Sequence, residues 1–111
     1  MKPTDEQVKE FWERCGFTIK PLKDEEYLGD FYYYPDCNRI ERYVDLTLDN
    51  LFRYAVPMLK EDNDTILFAH PTESKKYYCE ILDDDGEPTG GSLGYKDPAL
   101  ALFWAIYEVI K

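Results

Sequence analysis

Apolar residues near the start of the chain recur at intervals of three and four, the spacing of one face of a helix. These residues are Val8, Phe11, Trp12 and Cys15. Thr4 precedes the pattern and Gln7 lies three positions later, so the two side chains can form a capping box. Gly16 is a residue type that commonly ends helices. The pattern predicts a first helix between Thr4 and Gly16.

A second helical pattern follows Thr47, which can cap it. Its apolar positions are Leu48, Leu51, Phe52, Ala55 and Leu59. Pro57 interrupts this pattern, because proline has no N–H group and its ring clashes with the preceding turn. The helix is therefore expected to kink or end close to Pro57.

A third helix is predicted after Asp97 and Pro98, a cap followed by proline in the first helical position. Its apolar residues fall on two faces. One face comprises Leu100, Phe103, Tyr107 and Ile110, and the other comprises Leu102, Ile106 and Val109. A helix that is apolar on nearly every side is normally buried on more than one side, in the core or against a second copy.

The segments between the helices are typical of strands. Residues 17–34 indicate extended structure, with a strand rich in aromatic residues over Tyr27–Tyr34, and residues 35–38 have turn chemistry. Residues 65–95 indicate a three-stranded antiparallel meander. Its strands are Thr65–Ala69, Tyr77–Leu82 and Gly91–Tyr95, with turns at 71–74 and 83–89. The element order is thus α-β-β-α-β-β-β-α, and 111 residues predict a single α+β domain, residues 1–111.

The net negative charge of the chain argues against some classes of function. The chain has 13 basic and 23 acidic residues, a net charge of −10, and −7 of this lies after residue 60. A phosphate backbone would be repelled, so no nucleic-acid partner is expected, and solubility is the simplest role of the acidity. The longest apolar run, Ala99–Tyr107, is too short to cross a membrane, and the acidic N-terminus is unlike a signal peptide. We expect a cytoplasmic protein with no membrane partner.

The motifs that could carry chemistry are weak. In the acidic turn, Gly86 could serve as the glycine of a calcium loop, but Ile81 and Ser92 would then occupy positions that require carboxylates, which excludes an EF-hand. The glycine-rich segment 90–94 lacks the spacing of a phosphate-binding loop. Three cysteines without a paired motif do not predict a zinc site or a disulfide framework. No metal ion and no cofactor are expected.

A catalytic pair would require Cys79 together with His70, the only histidine of the chain. Neither lies in a signature typical of nucleophilic catalysis, and Cys79 falls in the middle of an apolar strand. The sequence therefore predicts a protein that is not an enzyme, although a Cys79–His70 pair stays open as a hypothesis.

Three segments together resemble a known family. They are FWERCGF at 11–17, DLTLDNLFRYAVPML at 45–59 and DPALALFWAIYEVI at 97–110. The chain resembles the small phage ABA-sandwich domain family, uncharacterised proteins of phages and prophages. The resemblance implies a single antiparallel sheet of about four to five strands with helices packed on both faces. It carries no catalytic residues over to this chain.

Two other small folds share part of the element order. Double-stranded-RNA-binding domains place basic residues at the start of the final helix, where this chain has Asp97. The C-terminal meander and helix also look like HicB-type antitoxin domains, but no DNA-binding segment follows Ile110. Neither alternative is favoured.

The leading hypothesis is a phage- or prophage-type protein that acts through contacts with a protein partner or, as a homo-oligomer, with itself. Its expected interaction surface comprises Tyr32, Tyr33, Tyr34, Trp104 and Tyr107. The alternative is an acidic inhibitor that acts as a decoy for a basic host protein, as a nucleic-acid mimic or like an antitoxin. Its acidic patch comprises Asp83, Asp84, Asp85 and Glu87.

Overall fold

The computed structural model describes residues 2–60, 65–70, 73, 75–92 and 94–110. In these residues the fold is α+β, with three helices and two separate three-stranded antiparallel sheets. The chain divides into two units between Asp45 and Leu46. Each unit is described by itself below.

Helix α1 spans Asp5–Arg14 in the first unit and confirms the first predicted helix. The Thr4 hydroxyl oxygen accepts the N–H of Gln7 at 3.2 Å, and the Gln7 side chain accepts the N–H of Thr4 at 2.9 Å. This capping box satisfies two groups at the start of the helix. Gly16, just beyond the helix, has a φ of +104°, a backbone conformation that residues other than glycine rarely adopt. The local sequence thus determines both ends of α1.

The first sheet contains β1 (Thr18–Leu22), β2 (Glu25–Tyr33) and β3 (Ile40–Glu41), in that order. The two-residue strand β3 was not predicted. Pairing between β1 and β2 passes from Pro21↔Asp30 directly to Leu22↔Glu25, so residues 26–29 bulge out of β2.

The core of the first unit is aromatic. The centroid of the Trp12 ring lies 5.1 Å from that of Phe11 and 5.2 Å from that of Phe17, and all three residues are buried. The indole N–H of Trp12 donates to the backbone carbonyl of Val44 at 3.1 Å. This bond satisfies the one polar atom of a fully buried tryptophan and ties the end of the unit to α1.

Helix α2 in the second unit has three consecutive segments, α over Leu48–Asn50, π over Leu51–Ala55 and α over Val56–Lys60. The Thr47 side chain caps it, as predicted. A kink or an end was predicted close to Pro57, but the helix continues through Pro57 to Lys60. The local change is in hydrogen bonding, since Val56, the residue before Pro57, donates to the carbonyl of Leu51.

The buried face of α2 agrees with the prediction at Leu51, Ala55 and Leu59 but not at Phe52. Phe52 was expected on the apolar face but is 47% exposed, whereas Tyr54 and Val56 are buried. A π turn advances by more residues than an α turn, so the spacing of three and four that holds for an α-helix shifts at this point. The expectation for Phe52 was wrong for this reason.

The second sheet contains β4 (Thr65–Ala69), β5 (Tyr78–Leu82) and β6 (Pro88–Gly91), in that order. The third strand was predicted at Gly91–Tyr95 but begins earlier. The reason is the tight turn after β5, in which the Asp83 N–H donates to the Glu87 carbonyl and the chain reverses within five residues. The predicted turn at 71–74 lies largely outside the described residues.

Helix α3 spans Pro98–Ile110 and begins where predicted, since the Asp97 side chain accepts the N–H of Ala99 at 2.9 Å. It packs on β5, β6 and α2. Its fully or nearly buried residues are Ala99, Ala101, Leu102, Phe103, Ala105 and Ile106. The close approach to β6 depends on Gly90, where a Cβ atom would lie 2.7 Å from the Ala105 carbonyl oxygen and 2.7 Å from Val109 Cγ2.

The expected single sheet of four to five strands with helices on both faces is therefore wrong. Each of the two sheets pairs strands that are neighbours in sequence, β1-β2-β3 and β4-β5-β6. The short strand β3 pairs with the C-terminal end of β2 through Tyr32↔Glu41 and Tyr33↔Ile40. All strand pairings in the described residues are therefore between sequence neighbours. Helix α2 connects the last strand of the first sheet to the first strand of the second and is not a crossover within one sheet. Nothing in the structure tests the prediction of a single domain over 1–111.

We expect the substitution Gly90→Ala to lower the free energy of unfolding by about 1–3 kcal/mol, because the added methyl group clashes with helix backbone at Ala105. Gly91→Ala is the matched control, since a Cβ atom there would lie 3.6 Å from the nearest atom, the Cys79 carbonyl oxygen. Urea denaturation of both variants measures the difference. Equal effects of the two substitutions would contradict the packing described here.

Candidate functional site

Strand β4 is the most accessible apolar element of the second unit. It lies at the edge of its sheet and, in the described part of the chain, is hydrogen-bonded to another strand only on the β5 side. Its five residues, Thr-Ile-Leu-Phe-Ala, contain no charge and no proline. Leu67 is 47% exposed and Phe68 40% exposed. Edge strands of this kind are ready templates for pairing with a further strand.

The register shows which backbone groups of β4 point away from the sheet. Residues of one strand turn their N–H and C=O groups alternately to either side. The Cys79 carbonyl accepts the N–H of Ser92 at 2.9 Å, so the backbone groups of Cys79 point away from β4. Phe68 pairs with Cys79 and Ile66 pairs with Ile81, two positions along. The N–H and C=O groups of Ile66 and Phe68 therefore point outward from the edge.

A hollow flanks β4 on each face of the sheet. The hollow on the helix side has a volume of about 340 Å³ and is lined by Leu48, Phe68, Ala69, His70, Tyr77 and Pro98. The hollow on the opposite side has a volume of about 300 Å³ and is lined by Leu67, Phe68, Ala69, Tyr78, Glu80 and Ser92. An added strand sends alternate side chains to opposite faces, so it would present side chains to both hollows.

Charges lie beyond the two ends of β4. Thr65 pairs with Leu82, which leads into the acidic turn 83–87. Ala69 pairs with Tyr78 at the other end, where the connection from β4 to β5 contains Lys75, Lys76 and one acidic residue, Glu73. The edge is thus neutral along its length, acidic at the Thr65 end and basic at the Ala69 end.

His70 and Cys79, the two residues of the hypothetical catalytic pair, have different surroundings. The His70 ring stacks on that of Tyr77, with centroids 4.2 Å apart and an interplanar angle of 16°. Cys79 is 1% exposed, and burial raises the pKa of its thiol to about 12. The thiolate, which is the nucleophilic form, is therefore disfavoured at Cys79 at neutral pH.

The four acidic residues of the expected patch lie in one turn. The Asp83 carboxylate accepts the N–H groups of Asp85 and Glu87, each at 2.9 Å. This carboxylate stabilises the β5–β6 turn, while Asp84, Asp85 and Glu87 are exposed. Among the described residues, no group of three or more histidine, cysteine or acidic side chains could hold a metal ion.

The three consecutive tyrosines of the expected interaction surface lie in and beside β2. Tyr32 and Tyr34 contact the buried ring of Phe17, with centroids 6.4 Å and 5.0 Å away. Burial raises the pKa of both phenols. Tyr33 lies on the other face, where the Lys20 ammonium is 4.9 Å from its ring centroid. All three side chains are half-buried, so each one is partly used in packing within the first unit.

The remaining two residues of that expected surface are on α3 in the second unit. The ring centroid of Trp104 lies 5.0 Å from that of Phe103 and 5.5 Å from that of Tyr107. Both Trp104 and Tyr107 are half-buried. The five residues of the expected surface therefore belong to two units, the three tyrosines to the first and Trp104 and Tyr107 to the second.

A smaller hollow of about 170 Å³ lies in the first unit. Its lining residues include Asp5, Tyr32, Arg42 and Tyr43 together with an ion pair, in which Lys9 Nζ lies 2.8 Å from an Asp30 carboxylate oxygen. This hydrogen bond raises the pKa of Lys9. Both side chains are partly exposed, so the pair orients two surface groups and adds little stability.

The sequence predicts β4 as a strand but gives no indication that the strand is accessible. A continuous apolar run is typical of a strand that is buried on both faces. The run Ile66–Ala69 has this pattern and is nevertheless open at the sheet edge. The sequence does show that the strand contains no charged residue and no proline, the residues that usually protect a sheet edge. This observation indicates an accessible edge only once the strand order is known.

The comparisons with known proteins find no match: no model of a protein family, no curated protein and no solved structure is similar to this chain. The resemblance to the phage ABA-sandwich family therefore stays a prediction. No helix within the described residues is long and apolar enough to cross a membrane.

We expect one of the three thiols to react rapidly with a disulfide reagent in the native protein at pH 8. Cys37 is exposed, whereas Cys15 and Cys79 are buried and burial raises the pKa of each thiol to about 12. All three should react in denaturant, as measured by thiol absorbance titration. Rapid native reaction of Cys79, tested in a Cys37→Ser variant, would revive the Cys79–His70 hypothesis.

Proposed function

We propose that this protein is a non-enzymatic protein-interaction domain that binds an extended segment of another chain along strand β4. The observation that supports this most strongly is the open, uncharged edge itself. It carries outward backbone groups at Ile66 and Phe68 and an exposed side chain at Leu67. Strand addition uses the two things this edge provides, unpaired backbone groups for affinity and side-chain hollows for specificity.

The state of Cys79 and His70 supports a role other than catalysis. The thiol of Cys79 is buried and held in its protonated form, and the His70 ring is engaged with Tyr77. The proposal of an acidic decoy for a basic protein has weaker support. Asp83 uses its carboxylate within its own turn, which leaves Asp84, Asp85 and Glu87 at a hairpin tip.

A short synthetic peptide tests strand addition directly. The peptide carries the β4 sequence Thr-Ile-Leu-Phe-Ala between pairs of lysines, which keep it soluble. We expect it to shift the backbone amide NMR signals of Ile66 and Phe68, because these N–H groups gain acceptors. Smaller shifts should follow along β5, and the signals of α1 should stay unchanged.

The matched control is the same peptide with N-methyl groups on its isoleucine and phenylalanine. It has the same charge and nearly the same shape but lacks two hydrogen-bond donors, so we expect its affinity to be roughly tenfold lower or weaker still. Equal binding of both peptides would point to attraction between lysines and the acidic chain. Absence of shifts at β4 with the unmodified peptide would contradict the proposed function.

A further inference from the structure

We infer that the strand which β4 accepts is β4 of a second copy of this chain, in antiparallel orientation about a two-fold axis at Leu67. This inference rests on the proposed function and specifies its partner. Joining the two edges would turn two three-stranded sheets into one six-stranded sheet, β6-β5-β4-β4-β5-β6. Three features of β4 support it: its outward backbone groups, its side chains and the charges beyond its ends.

The outward backbone groups determine the register. Ile66 and Phe68 are the two residues whose N–H and C=O groups point away from β5. With the axis at Leu67, Ile66 of each copy lies opposite Phe68 of the other. Each of these two pairs can exchange two hydrogen bonds, which gives four in total. An axis at Ile66 or at Phe68 would join only one such pair within the described strand.

The side chains fit the same register. Ile66 opposite Phe68 forms a pair of a β-branched and an aromatic residue, a favourable combination across strands. Leu67 of each copy meets Leu67 of the other on the face that carries Glu80. Thr65 lies opposite Ala69, so no pair within the strand brings two charges together.

The charges beyond the strand favour the antiparallel orientation. The acidic turn 83–87 lies at the Thr65 end of β4, whereas the connection at the Ala69 end contains Lys75 and Lys76 against a single acidic residue, Glu73. An antiparallel second copy brings its acidic turn to the end of the joined sheet where the first copy has its two lysines. A parallel copy would place the two acidic turns at one end, where they would repel each other.

The contact is small, because it consists of one five-residue strand from each copy. Interfaces below the standard size are weak and transient. We therefore expect half-dissociation at a protein concentration on the order of tens to hundreds of micromolar. The net charge of −10 on each copy also opposes association, so it weakens the dimer further.

Sedimentation equilibrium of the full chain under reducing conditions, up to about 1 mM, tests the inference. Wild-type protein should change reversibly from monomer to dimer with concentration. Leu67→Lys should abolish the dimer, because the register would place two ammonium groups directly opposite each other. Within one copy the new lysine pairs across the strands with Glu80, so the fold should be retained, which circular dichroism verifies.

Met58→Lys is the matched control. It makes the same change of charge at an apolar residue of similar exposure on α2, 42% against 47% for Leu67. We expect this variant to dimerise at least as well as the wild type, because it also reduces the net negative charge. A dimer that persists in Leu67→Lys, or that is lost equally in Met58→Lys, would overturn the inference.

Cross-linking tests the register with a second pair of variants in a Cys37→Ser background. Leu67→Cys should form an intermolecular disulfide in a glutathione redox buffer, because the Cα atoms of a pair without mutual hydrogen bonds lie about 4.5 Å apart, within disulfide reach. Thr65→Cys should not, because the two copies of position 65 would lie about 13 Å apart along the strands. Preferred cross-linking of Thr65→Cys would overturn this register.

The results separate the inference from the proposed function. If the β4 peptide binds at β4 but the chain stays monomeric up to 1 mM, the edge accepts strands and the second copy is not its partner. If the peptide does not bind and the chain is monomeric, both fail. Peptide binding together with dimerisation that Leu67→Lys abolishes supports both.

Discussion

The contact between α3 and β6 at Gly90 is the constraint on which the second unit depends. The Ala105 carbonyl approaches so closely that no side chain fits at this position, and the apolar helix lies directly on the strand. Helix α3 then packs chiefly on β5 and β6, where Ile81 and Cys79 are buried. Strand β4 lies at the far edge of the sheet and keeps two exposed apolar side chains, Leu67 and Phe68. The exposure of Phe68, on the helix side of this edge, is therefore a consequence of where the helix is seated.

Local chemistry determines the parts of the fold that could be predicted from the sequence. The Thr4–Gln7 capping box and the Asp97 cap depend only on residues a few positions apart, and both form as expected. The separation into two sheets could not be predicted in this way, because no local period in the sequence shows whether strands from distant segments join one sheet or stay in two. The two-residue strand β3 is too short to show a pattern, and the π turn of α2 changes the helical period itself.

The candidate site could be predicted only as a strand. The residue types that attracted attention in the sequence, the tyrosines and the acidic turn, are engaged in part in packing and turn formation, as Tyr34 with Phe17 and Asp83 with Glu87 illustrate. The residues whose backbone groups point outward from the edge, Ile66 and Phe68, are ordinary apolar residues in the sequence. Their significance depends on strand order and register, which only the three-dimensional structure provides.

Native-state amide hydrogen exchange of β4 tests the central claim most directly. In dilute protein the N–H groups of Ile66 and Phe68 should exchange rapidly, while that of Ser92, which donates to Cys79, stays protected. At several hundred micromolar protein, exchange at Ile66 and Phe68 should slow and that of Ser92 should not change. Protection of Ile66 and Phe68 at every dilution would show that the edge is already covered within one chain. Rapid exchange at every concentration would show that no second strand binds there, and either result would contradict the account.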